Sequence, residues 1–279
     1  MQLALLSDVH ANLEALDAVL YDVARRAPRA RLVCSGDVVG YGPDPDACIE
    51  RLIARDALFV MGNHEEMVLG RRDFSRCVYA GIVAAVWTRD HLSCEAKGFL
   101  QGLPTWIEAA PGVVVCHGDL ESTDTYVSTD AGARRALEQL DRLRPGARML
   151  VCGHTHHPAM FAERLGFVSG ERTTDFRLPR RETCLVNPGA VGQARDDRPL
   201  ARYAVVDLER GVVSYKAIEY DHVTTVRKLR HRRLVPRVVV PPPHGVAGRV
   251  EHWKTRVARR WASWRLRHLG SEGETSWNR

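Results

Sequence analysis

Residues 3–10 read LALLSDVH: four apolar residues that end in Asp8 and His10, two positions apart. The construction returns at residues 32–37 (LVCSGD), 57–64 (ALFVMGNH), 113–119 (VVVCHGD) and 149–156 (MLVCGHTH), each apolar run releasing into glycine, acid, asparagine or histidine. Further runs without such an ending stand at Thr183–Val186, Tyr203–Val206 and Val212–Tyr215. Their length and β-branched content predict buried strands. Helical spacing appears between them: Leu13, Leu16, Val19 and Leu20 after the first run, Cys48, Ile49, Leu52 and Ile53 after the second, and 133–143 before the fifth. Residues 75–103 read as two more helices, and the polar stretch 163–182 as an excursion loop. Strands alternating with helices predict an α/β fold in layers, with the polar motifs at one edge of the sheets, where open α/β folds bind ligands.

The motif residues are chemically of one kind. Carboxylates and imidazoles converging from five strand ends suit divalent cations about 3.5–4 Å apart, which clamp a phosphoryl group and lower the pKa of a water. Mixed nitrogen and oxygen donors favour borderline transition ions over calcium. In an extended loop end, DxH or HxH would send both side chains to the same side, since the strand period is two.

Taken in order, DxH, GD, GNH, HG and GHTH resemble the calcineurin-like metallophosphoesterases, and the likeness continues through LVNPGAVGQARDDRP to about residue 217. The resemblance implies a layered α-β-β-α sandwich and two divalent transition ions, manganese, iron, zinc or nickel. It assigns Asp8, His10 and His156 to the first ion, Asn63, His117 and His154 to the second, and Asp37 to both. His64 would remain free to protonate the leaving oxygen while a hydroxide activated by the two metals attacks. Asn12, Tyr41, Arg195 and Arg198 are candidate substrate contacts, with helix capping the alternative for Asn12 and surface pairing with Asp196 or Asp197 for the arginines.

The second motif reads GDVVGYGPDPD, without the arginine that Ser/Thr protein phosphatases place there, which disfavours that activity. The chain looks closer to the compact prokaryotic YfcE-like phosphodiesterases. It departs from them at Asp119-Leu120 in the fourth motif, where Ser-Pro is commoner, and at Ala190 in NPGA, where Ser is frequent. Asp119 would add a negative charge near a site for anions.

Composition narrows the class. A chain of 279 residues, 45% hydrophobic and 27% charged, holds one globular domain with an appendage. No apolar run approaches a membrane span, and Met1–Leu6 is too short for a signal peptide, so the expected location is the cytoplasm. Seven cysteines without a CxxC pair point to reduced, buried thiols, and Cys116 and Cys152 read as packing residues although they neighbour candidate ligands.

The net charge of +6 is unevenly placed: residues 222–279 carry 14 Lys+Arg against three Glu, leaving 26 against 31 in residues 1–221. This divides the chain into a phosphoesterase domain, 1–221, and a basic, proline-containing extension, 222–279. Val250, Trp253, Val257, Trp261 and Trp264 line one face of a predicted helix over 250–269. That face would dock on the body or join a second copy as a homo-oligomer; the arginines would alternatively hold nucleic acid or an anionic membrane. The functional expectation is metal-dependent hydrolysis of a phosphodiester or phosphomonoester in a small-molecule or nucleotide substrate. The alternatives are a nuclease or nucleic-acid-end phosphatase guided by the tail, and a non-catalytic scaffold of the same fold.

Overall fold

The structure, a computed structural model, describes residues 1–239 except 172 and 197, together with residues 254, 255, 257–259, 261 and 262. Two six-stranded sheets form its centre. The first runs β3 (Leu58–Phe59), β2 (Arg31–Cys34), β1 (Gln2–Leu6), β11 (Leu200–Asp207), β12 (Val212–Glu219) and β9 (Thr174–Arg177). The second runs β4 (Trp106–Ala110), β5 (Val113–Cys116), β6 (Met149–Val151), β10 (Cys184–Asn187), β7 (Ala159–Ala162) and β8 (Gly166–Ser169). Strands β1, β2 and β3 pair in parallel, as do β5, β6 and β10, so each sheet sends a set of strand C-termini to one edge.

Alternation along each strand divides its side chains between two cores. Leu3 and Leu5 face Val115, Val151 and Val186 between the sheets, while Ala4 and Leu6 face the helices. Helices α1 (Leu13–Arg26), α2 (Pro45–Ile53), α4 (Tyr79–His91) and α5 (Cys94–Gln101) cover the first sheet, and α6 (Asp130–Leu143) covers the second through Ala133, Ala136 and Leu140. The layers are therefore α-β-β-α, as the resemblance implies. Side chains such as Leu3, Leu5 and Leu16, fully buried, each contribute about 1.5–3 kcal/mol of transfer free energy.

Three expectations need correction. Residues 163–182 are not a loop excursion: they contain β8 and β9, which extend one edge of each sheet. Their exposed faces are polar, which hides the strand signal, yet Phe176 and Val168 pack on the core between the sheets. The GNH motif does not sit in a loop either, because Asn63 and His64 open a short helix, α3 (Asn63–Val68). The third correction concerns the C-terminal helix. Of the five residues expected to form its inner face, Val257 and Trp261 are 49% and 43% exposed, and Val250, Trp253 and Trp264 fall outside the described residues. Thr255, Ala258 and Ala262 are buried instead, the two alanines in the same core as Ile82 and Ala85 of α4.

The first part of the basic extension is also engaged with the body. Residues His222–His231 form α7, whose Leu229 is buried beside Ala84 of α4. Lys228 Nζ lies 2.7 Å from Asp44 and also pairs with Glu14, and Thr225 Oγ1 donates to Glu14 at 2.9 Å. The likeness at the motifs ends before this helix, but the packed body does not.

Candidate metal centre

The five motifs meet at the edge where both sheets end. Asp8 and His10 follow β1, Asp37 follows β2, Asn63 and His64 follow β3, His117 follows β5, and His154 and His156 follow β6. All eight are buried. Their convergence does not come from extended backbone, as the DxH spacing suggested: Asp8, His10, Ala11, Asp37, Tyr41, His154 and His156 all have φ between 47° and 64°. The left-handed conformation costs a residue other than glycine roughly 1 kcal/mol or more, and such residues concentrate where a site dictates side-chain direction. Backbone bonds between the loops hold the shape: Asp8 N–H donates to Gly36 O at 3.1 Å, His10 N–H to Asp37 O at 2.9 Å and Ala11 N–H to Val38 O at 2.7 Å.

Two glycines allow the close approach. A Cβ on Gly40 (φ +87°) would lie 2.2 Å from His64 Nδ1, and one on Gly62 would lie 2.2 Å from Asp37 Oδ1.

Three imidazoles are aimed in the same way. Nδ1 lies 3.1 Å from Val39 O in His10, 2.7 Å from Ser35 O in His117 and 2.8 Å from Gln193 O in His156. A carbonyl only accepts, so Nδ1 carries the proton and Nε2 points into the site. The atoms they meet there are also acceptors. His10 Nε2 faces His156 Nε2 at 3.2 Å, and Asp8 Oδ1 stands 3.3 Å from His156 Nε2 and 3.8 Å from His10 Nε2. On the other side, His117 Nε2 lies 3.3 Å from Asp37 Oδ2 and 3.1 Å from Asn63 Oδ1. Asp37 Oδ2 is 3.8 Å from His10 Nε2, so this carboxylate stands between the two groups.

Within each of three sets, Asp8–His10–His156, Asp37–His117–His154 and His10–Asp37–His64, one ligand atom per residue lies within 4.8 Å of the others. Converging lone pairs repel unless a cation lies among them. Asp8 Oδ1 and His154 Nε2 are moreover buried without a hydrogen-bond partner. The residues fit divalent metal. Geometry alone gives His64 the same access as its neighbours, since it belongs to the third set.

Burial sets the protonation states. It holds His10, His154 and His156 well below the usual imidazole range, which keeps them neutral, the form that binds metal. Burial also lowers His64. It pulls His117 down too, but the adjacent Asp37 carboxylate outweighs it and lifts His117 to about 10, so a proton occupies the position of a cation. Burial raises Asp8 to about 7; it acts the same way on Asp37, where His117 and His64 prevail and hold the carboxyl well below its usual range.

The candidate substrate contacts divide. Tyr41 and Arg195 line a pocket that opens on Asp37, His64 and His154, and the two side chains are near enough to interact electrostatically. Tyr41 packs edge-on against His10, ring centroids 4.7 Å apart. Asn12 is instead the cap of α1: its Oδ1 accepts from Ala15 N–H at 3.2 Å and its Nδ2 donates to Gly192 O at 2.8 Å, which leaves it no place in the cavity wall. Arg198 is exposed outside that wall, its backbone N–H bonded to Asp196. Asp119 does not charge the site; its carboxylate accepts from Glu121 and Ser122 N–H in its own turn. His157 faces outward beside Glu171, and Cys116 and Cys152 pack on α6 as free thiols that burial raises, Cys152 to about 12.

Four residues went unread in the sequence. Glu65, fully buried, accepts from Asp37 N–H and Gly62 N–H at 2.8 Å and from Val39 N–H at 3.0 Å, tying the second and third motifs together. Its position three residues after Gly62 is the spacing of a capping box, a readable signal. Asn187, at the head of the NPGA stretch, donates to Gly153 O at 2.7 Å and Thr155 Oγ1 at 3.0 Å and so anchors the GHTH loop. Asp124 Oδ1 lies 3.7 Å from His154 Nε2, and the Tyr126 ring centroid 4.1 Å from that of His154; neither belongs to a recognisable motif.

Comparison with known proteins agrees with this geometry. The family model of the calcineurin-like phosphoesterase superfamily domain matches residues 1–211. An uncharacterised protein of Methanocaldococcus jannaschii is 31% identical over 237 residues, 83% of this chain and 93% of that one. A metallophosphoesterase structure from Sphaerobacter thermophilus is similar at TM-score 0.72 and 29% identity, covering 84% of this chain and 95% of that one. A hypothetical protein from Pyrococcus horikoshii shares the fold at TM-score 0.66 and 18% identity, covering 84% and 94%. Among the described residues, no helix is long and apolar enough to cross a membrane. With its five motifs gathered at one sandwich edge and its lone pairs converging there, the chain belongs to the calcineurin-like phosphoesterase superfamily.

Proposed function

We propose that the protein is a metal-dependent phosphodiesterase. Asp8, His10 and His156 would hold one divalent transition ion, Asn63, His117 and His154 a second, and Asp37 both; manganese, iron, zinc and nickel all suit these donors. Bound there, the ions supply Lewis-acid polarisation of a phosphoryl oxygen and a water of lowered pKa. The chain supplies the rest. His64, on the cavity wall with its backbone N–H fixed 2.9 Å from Asp37 Oδ1, donates the proton that the leaving oxygen needs.

Arg195 binds a non-bridging oxygen, oriented by Tyr41. The other two cavity arginines are committed: Arg76 lies 3.0 Å from Asp124, and Arg72 pairs with Glu66 at 2.5 Å. Among the described residues, no carboxylate lies within ion-pair distance of Arg195. One uncommitted guanidinium suits the single charge of a diester better than the double charge of a monoester.

The observation that carries this reading is the facing of acceptor on acceptor, His10 Nε2 to His156 Nε2 at 3.2 Å, with Asp8 Oδ1 unpartnered beside them. The test is metal analysis of the purified protein together with turnover of bis-p-nitrophenyl phosphate and p-nitrophenyl phosphate, each metal supplied in turn. Diester hydrolysis above monoester hydrolysis is expected; a metal-loaded protein that turns over neither would overturn the reading. A nucleic-acid role for the extension draws less support, because Lys228 and Arg259 are engaged with groups of the body.

A further inference from the structure

The C-terminal helix lies beyond residue 211, where the family model ends, yet it contacts the cavity's own wall. Helix α4 begins at Tyr79 after an N-cap, Val78, that has no side chain able to bond the exposed amides. Thr255 meets that need from 176 residues away: its Oγ1 accepts from Tyr79 N–H at 2.9 Å. One turn on, Arg259 Nη2 donates to Cys77 O at 3.1 Å. Ala258, between them, is buried with Ile82 and Ala85, so small side chains bring the helix close.

The clamped segment belongs to the site. Cys77 and Val78 line the cavity that contains Tyr41 and Arg195. One turn further, Gly81 packs so tightly that an added Cβ would lie 2.4 Å from Cys77 Sγ and 3.1 Å from Tyr41 Oη. A continuous set of contacts thus runs from Thr255 and Arg259 through Cys77 and Gly81 to Tyr41, which shares the pocket wall with Arg195.

We infer that Thr255 and Arg259 are positioning residues for substrate binding: the C-terminal helix fixes the Cys77–Gly81 turn, and through it the Tyr41–Arg195 pair. The inference rests on the proposed role of Arg195 and adds a segment outside the phosphoesterase domain to the binding site. The set meets a proposed metal ligand and His64 only at its far end, where the Tyr41 ring packs on those of His10 and His64 with centroids 4.7 Å apart, so the step it controls first is the holding of substrate.

The test uses the full chain with Thr255→Val, Thr255→Ser and Arg259→Met, measuring kcat and KM for bis-p-nitrophenyl phosphate, metal content, and hydrogen exchange at the Tyr79 amide. Losing one such bond corresponds to about a fivefold effect. Thr255→Val and Arg259→Met should each raise KM by about that factor with kcat within twofold and metal content unchanged, and Thr255→Ser should restore KM. In Thr255→Val the Tyr79 amide should exchange faster. Unchanged KM in both variants, or equal falls in kcat and metal content, overturns the inference. If the unaltered protein turns over no diester, the proposed function fails, and affinity for inorganic phosphate, read by calorimetry on the metal-loaded protein, replaces KM; phosphate bound equally by all variants also overturns the inference.

Discussion

The two sheets reach the same cavity with different chemistry. The first contributes Asp8, His10, Asp37, Asn63 and His64, which include both inner carboxylates and the proposed proton donor. Of the motif residues the second contributes only imidazoles, His117, His154 and His156, with Asp124 and Tyr126 beside His154 from the loop after β5. Two of the three imidazoles are aimed from the first sheet, His117 by Ser35 O and His154 through its N–H to Asp8 Oδ2 at 3.2 Å, while His156 is aimed by Gln193 O in the loop after β10. The first sheet therefore carries both inner carboxylates and sets direction for two of the three imidazoles, and the site exists only where the layers have closed on each other.

Substitutions can test that division. The largest effect is expected for Asp37→Ala, which removes the carboxylate standing between the two groups: metal content and diester turnover should both fall to background, measured by elemental analysis and a chromogenic assay. His64→Ala should cost about 10²- to 10⁴-fold in kcat while the metal stays bound, the signature of a proton donor rather than a ligand. Loss of metal in that variant would instead place His64 among the ligands, as the His10–Asp37–His64 set permits.

Glu65→Gln comes next. It keeps the size but gives up the charge that receives three N–H groups, so metal affinity should fall by about 10- to 100-fold with only a secondary change in kcat at saturating metal. A direct titration with manganese checks this. The smallest effect belongs to Asn12→Ala, which removes a helix cap: about 1 kcal/mol of stability in denaturant unfolding, with KM unchanged. A raised KM there would return Asn12 to the substrate.

Much of this edge was legible because each ligand follows a short apolar run, and buried parallel strands leave little choice about where their ends lie. Asp8, Asp37 and His117 could be located from that pattern alone. How they converge could not, since φ values near +50° at Asp8 and His10 arise from bonds to Gly36 O and Asp37 O, in a neighbouring loop with no local trace. Asp124 and Tyr126 were hidden for a related reason: they reach His154 from a stretch without period or motif. The C-terminal helix misled at Val257 and Trp261, which are exposed. Periodicity identifies faces, but among the described residues the face that packs is built of Thr255, Ala258 and Ala262, whose smallness permits close approach and carries little hydrophobic signal.

The seven left-handed residues around the site have a consequence for the molecule as a whole. Their backbone energies are unfavourable, and the lone pairs they direct together repel, so the edge is the part of the protein least able to hold its shape unaided. A ligand that binds only this arrangement stabilises the native state by mass action, by about 2.7 kcal/mol at a hundred times its dissociation constant. The proposed metal would thus be a structural partner as well as a chemical one: thermal unfolding is expected to track the free cation concentration, and chelation to lower the melting temperature before any substrate is involved.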